Sequence, residues 1–122
     1  MPPAEPSACA ADGARAEALA AEFLVREGLA IAARNFRTRR GEIDIVARER
    51  ETLVFVEVRF RSTAAFGCAA ASITPAKRAR MRAAACAYLA KLGRVPACRF
   101  DAILLDALAP ARITWLRDIL EE

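Results

Sequence analysis

Two short acidic patterns carry the chemistry this 122-residue chain can offer: Gly41-Glu42-Ile43-Asp44 and Val56-Glu57-Val58-Arg59. Both lie in runs rich in β-branched residues, over 42–48 and 53–61, which read as strands. Side chains alternate along a strand. Val54, Val56, Val58 and Phe60 therefore share an apolar face, and Leu53, Phe55, Glu57, Arg59 and Arg61 share the other. In the preceding strand Ile43, Ile45 and Ala47 fall on one side, with Glu42, Asp44 and Val46 opposite. A hairpin closing symmetrically about Arg50-Glu51 sets Asp44 across from Glu57, their Cβ atoms roughly 5 Å apart, and Glu42 across from Arg59. Two carboxylates this close repel unless one takes up a proton or a cation lies between them. Mg²⁺, or Mn²⁺ in its place, suits such a pair, being held by one or two carboxylates with water and phosphate oxygens. The backbone carbonyl of Val58 offers a further ligand. An ion there activates water and stabilises charge on phosphate, as phosphodiester hydrolysis requires. The same pattern also describes a solvent-facing strand on which Asp44 pairs with Arg59 or Arg61.

The elements that would position these acids follow from the rest of the chain. Residues 1–10 hold three prolines and little pattern and read as a flexible leader, leaving 11–122 as one α/β domain. Residues 11–27 are strong helix formers, Gly28 is placed to end the helix, and Ala14, Ala18, Ala21, Leu24 and Val25 form its apolar stripe. Glu17 lies in or beside that stripe, an odd place for an acid without a task. A strand over 29–36 leads into the basic turn Arg37-Thr38-Arg39-Arg40-Gly41, where a glycine would let backbone ride close to a phosphate. After a long segment over 62–73, Thr74-Pro75 signals a helix start. That helix runs to Leu92, stops at Gly93, and turns Met81, Ala84, Ala85, Tyr88 and Leu92 inward. Strands over 99–105 and 113–116 complete a mixed sheet flanked by helices.

Composition removes several chemistries. There is no histidine, which excludes Ser-His-Asp and Cys-His nucleophilic schemes and histidine zinc sites. Cys9, Cys68, Cys86 and Cys98 lack metal-ligand spacing and read as free, mostly buried thiols in a reducing compartment. No stretch approaches a membrane span and no signal peptide is visible, so the expected location is cytoplasmic with no membrane partner. The formal net charge of +4 is compatible with a polyanion. Arg37, Arg39, Arg40, Arg61 and Arg78 would form a nucleic-acid track around the acids, joined by Arg80, Arg82 and Lys91. Phe36, Phe60, Phe66 and Tyr88 could stack on bases, although core packing accounts for them more simply.

Taken together, Glu17, Asn35-Phe36-Arg37, Gly41-Glu42-Ile43-Asp44, Val56-Glu57-Val58-Arg59-Phe60-Arg61, Phe66-Gly67, Lys77 and Arg99-Phe100-Asp101 resemble the YraN family of bacterial proteins. That family is similar to archaeal Holliday-junction resolvases and to the restriction-endonuclease-like superfamily. The resemblance implies a nuclease core, with Asp44 and Glu57 as metal ligands and Glu17 as a helix acid near the metal. It places Arg59 and Lys77 at the scissile phosphate of a structured or branched DNA. Resolvases of this type act as dimers, so it also implies a homodimer. Where the superfamily carries lysine this chain has Arg59, a cation that does not surrender its proton. Two rivals follow: a nucleic-acid-binding module with the fold but little turnover, and a protein-interaction domain without salt-dependent DNA affinity.

Overall fold

Leu24, Gly28 and Leu29 show how the first helix is stopped. α1 (Ala8–Arg26) ends where Gly28 takes a left-handed φ of 98°, open to glycine without a Cβ penalty. The Leu29 N–H then returns to the Leu24 carbonyl at 2.9 Å and the Gly28 N–H to that of Val25 at 3.0 Å, with Leu29 buried beside Leu24. The computed structural model describes residues 8–60 and 74–120. Residues 1–7, Arg61 and the segment 62–73 with Phe66 and Cys68 lie outside those. The helix starts at Ala8, before the expected 11, and buries Ala16, Ala20, Ala21 and Leu24. Ala14 and Val25 of the expected stripe are exposed, and Ala18 only half-buried. With alanine on every side, apolar spacing does not select one face.

The chain continues through β1 (Ala30–Arg37), β2 (Glu42–Glu49) and β3 (Thr52–Phe60) to α2 (Pro75–Leu92), then β4 (Cys98–Leu105), a 3-10 turn at Pro110–Arg112 and β5 (Ile113–Leu116). The sheet order is β1-β2-β3-β4-β5. The pair β3–β4 is parallel and the others antiparallel, because α2 carries the chain across the sheet between them. This is the mixed α/β sheet with flanking helices expected from the sequence, and it is consistent with a nuclease-like fold. Among the described residues, no helix is long and apolar enough to cross a membrane.

Both faces of the sheet are covered. α1 buries Ile45, Ala47, Val54, Val56, Ile103 and Leu105, and α2 buries Ile43, Val46, Leu53 and Phe55 against Met81, Ala84 and Ala85. Ile43 thus leaves the face that simple alternation assigned it with Ile45 and Ala47. The alternation slips at Asp44, where the β2–β3 ladder ends and the neighbouring Asn35 holds a left-handed φ of 54°. Thr74 caps α2 by accepting the Lys77 N–H at 3.1 Å, and Tyr88 packs on the core. Leu92 is 37% exposed instead of inward, since it ends the helix where the exposed segment 90–95 leads away from the sheet. Phe36 and Phe60 pack against the two cores. Cys86 and Cys98 are free but exposed, contrary to the buried expectation: Cys86 lies on the outer side of α2 and Cys98 at the open start of β4.

Candidate functional site

The hairpin register sets the geometry of the acids. Glu49 pairs with Thr52 and Ile45 with Val56, a closure symmetric about Arg50-Glu51. One further step would bring Asp44 opposite Glu57, but the ladder stops at Ile45. Beyond it β2 stays with β1 through Ile43↔Phe36, while β3 stays with β4 through Glu57↔Ala102. The sheet forks here, and the Asp44 carboxylate bridges the fork by accepting the Val58 N–H at 2.8 Å. A strand residue sends its N–H and C=O out of the same edge, so the Val58 carbonyl opens on the same fork. Glu42 does not face Arg59. It sits across from Arg37 on β1, with Nε to Oε2 at 3.4 Å, because the fork removes β3 from its reach.

Glu57 is 4% exposed, and only two cations stand near its Oε1: Lys77 Nζ at 3.1 Å and Arg59 Nε at 3.9 Å, among the described residues. Burial, then the charge of Asp44, pushes the Glu57 carboxyl up from 4.5 to about 7, against the pull of Lys77 and Arg59. Burial also raises Asp44, although the Val58 N–H, a hydrogen bond with Glu57 and the Lys77 charge oppose the rise. The two carboxyls thus share a buried space that does not favour two charges. Among the described residues the buried Arg59 Nε has no hydrogen-bond partner, and 3.9 Å from Glu57 is too far to provide one.

Glu17 reaches the same region from α1. Burial and the Asp44 charge raise its carboxyl, while Arg34, a hydrogen bond from the Asn35 side chain and Arg37 lower it. Asn35 appeared in the sequence only as part of a motif. Its left-handed backbone and its bond to Glu17 give it a place beside the acids, and an asparagine tolerates that conformation.

The structure therefore gathers Glu17, Asp44, Glu57, Val58, Arg59 and Lys77 around one fork. Arg37, Arg39 and Arg40 stand apart, with Lys77 between, lining a cleft of about 360 Å³ between the β1–β2 turn and α2. Arg78 is exposed on α2 and outside that lining, and Arg61 lies beyond the described residues. Arg80, which the sequence reading joined to the basic track, and Thr38, to which it gave no role, also line the cleft. Gly41 does not ride toward a ligand. A Cβ there would overlap the Arg80 carbonyl, and its N–H is already given to Thr38 Oγ1 at 3.1 Å.

Among the described residues no group of three or more His, Cys, Asp and Glu gathers to enclose a metal. The paired carboxylates fit an ion of the Mg²⁺ type, which takes one or two protein carboxylates and fills its shell with water and substrate oxygens. They do not form a four-ligand zinc site.

Comparison with known proteins gives a consistent picture. Residues 16–105 match the uncharacterised protein family UPF0102. A UPF0102 protein of Cupriavidus pinatubonensis is 51% identical over 96% of this chain and 91% of its own length. One of Ralstonia nicotianae is 51% identical over 97% and 92%, and one of Methylobacillus flagellatus 51% over 87% and 93%. This chain belongs to the uncharacterised protein family UPF0102.

Proposed function

We propose that the protein is a Mg²⁺-dependent endonuclease acting on structured or branched DNA. The observation that carries this reading is the buried Asp44–Glu57 pair beside an arginine Nε that lacks an acceptor among the described residues. Two carboxyls pressed together out of water call for a cation, and a buried guanidinium N–H calls for an anion; a phosphodiester with its divalent counterion supplies both. Asp44 and Glu57 would hold the ion, with the Val58 carbonyl at the same edge and Glu17 beside them. When bound, such an ion lowers the pKa of water and polarises the phosphoryl oxygen. Arg59 would give its free N–H to a phosphate oxygen, and Lys77 would exchange its contact with Glu57 for one with the substrate. Burial of the pair keeps these charges strong by excluding bulk water.

A second reading, a nucleic-acid-binding module with little turnover, draws on two observations. Arg59 cannot act as a general base, and Lys77 already supplies a counter-charge to Glu57 at 3.1 Å. Incubation with branched and linear DNA in Mg²⁺ or Mn²⁺ separates the readings. Cleavage by the native protein that falls at least a hundredfold in Asp44→Asn supports the enzyme. Cleavage gained only in Arg59→Lys supports the module, and cleavage that persists unchanged in Asp44→Asn defeats the carboxylate site.

A further inference from the structure

The cleft beside the fork is formed by the Thr38–Gly41 turn on one wall and the first turns of α2 on the other. Its shape is fixed from within. Thr38 Oγ1 accepts the N–H groups of Arg40 at 3.2 Å and Gly41 at 3.1 Å, and the Thr38 N–H donates to the Gly41 carbonyl at 2.8 Å. Gly41 then lies so close to the Arg80 carbonyl that no side chain fits between them. The turn is thereby held against α2 with the Thr38, Arg40 and Gly41 amides already engaged, so the guanidinium groups are the chief donors it turns to a ligand.

Those groups are in excess. Among the described residues, five cations line the cleft with one carboxylate, Glu42. Glu42 pairs with Arg37 and Lys77 reaches Glu57, while Arg39, Arg40 and Arg80 have no ion-pair partner among the described residues. Like charges held together in a concavity need a polyanion more than they need one another. Lys77 belongs to both places, lining the cleft while its ammonium touches Glu57. A strand with one phosphate at the fork therefore passes directly into the arginine cleft.

We infer that the cleft is a phosphate subsite that takes a non-scissile phosphate of the bound strand through Arg39, Arg40 and Arg80, without any divalent ion. This rests on the polyanionic substrate proposed above. Glu42 acts at its mouth as a negative charge that weakens the hold.

The test is fluorescence anisotropy of a labelled oligonucleotide with the full chain in EDTA across a salt series. Arg40→Ala and Arg80→Ala should each weaken binding about fivefold at low salt and reduce the salt slope by about one charge. Arg80→Lys should keep the slope and Glu42→Gln should tighten binding. Arg94→Ala removes an equal charge outside the cleft and serves as the reference. The subsite is overturned if Arg94→Ala weakens binding as much as Arg40→Ala and Arg80→Ala, or if neither cleft variant changes the slope. Because no divalent ion is present, the two ideas fail separately. Cleft-dependent binding by a protein that never cleaves DNA sinks the nuclease and leaves the subsite. Cleavage by a protein that binds equally well without its cleft arginines sinks the subsite alone.

Discussion

Glu57 is the residue on which most of the site's behaviour turns. Its carboxyl is held at about 7 in the native chain instead of 4.5, first by burial and then by Asp44. A raised native pKa means that the folded state favours the protonated form. Its contribution to stability is fully present below about pH 4.5 and is lost as pH climbs through 7. Glu57→Gln cannot titrate, so its melting curve provides the comparison. The native protein should lose about 1–3 kcal/mol relative to Glu57→Gln between pH 5 and pH 8, and parallel thermal melts across that range would contradict the burial argument. At this scale the sequence was legible in part. Hairpin symmetry was enough to bring Asp44 and Glu57 to the same end of the hairpin, although not as the directly opposed pair expected, since the ladder stops at Ile45. The same reasoning wrongly set Glu42 across from Arg59 instead of Arg37, because a ladder that stops midway leaves no mark in composition. Nor could spacing show that Asn35 bonds Glu17.

At the scale of elements, the β1–β2 turn and α2 form one rigid wall because Gly41 allows their backbones to meet. Gly41→Val would drive two methyl groups into the α2 backbone and should lower stability by about 1–3 kcal/mol or more, read as a shift in the denaturant midpoint. An unchanged midpoint would mean that the turn can lift away freely. The strands and α2 were readable from β-branched runs, Thr74-Pro75 and Gly93. The inward face of α1 was not, since alanine at nearly every position leaves the hydrophobic stripe without contrast. Ile43 was misplaced for a related reason: period-2 reasoning holds only while the backbone stays regular, and Asn35 and Asp44 break it.

Across the whole molecule, one network unites the sheet on the side away from the fork. Asp101 is fully buried and accepts from Arg99 Nε at 3.0 Å, Trp115 Nε1 at 2.9 Å and the Asp118 N–H at 2.9 Å. Arg99 extends to Glu49 at 2.6 Å, holding the β2 end to β4, and Arg117 stacks on Trp115 at 3.9 Å. Arg99-Phe100-Asp101 was noticed in the sequence as a pattern without a purpose, because its partners lie far along the chain. Asp101→Ala leaves the Arg99 and Trp115 donors without their acceptor and should lower stability by about 3–5 kcal/mol. Chemical denaturation measures this, and a loss below about 1 kcal/mol would show that water replaces the carboxylate.

That carboxylate also makes folding depend on the strand that follows it. Among the described residues, Trp115 and Asp118 supply two of the three from which Asp101 accepts. A version clipped just before Trp115 leaves the buried charge of β4 to Arg99 alone and would be expected to go to proteases instead of folding.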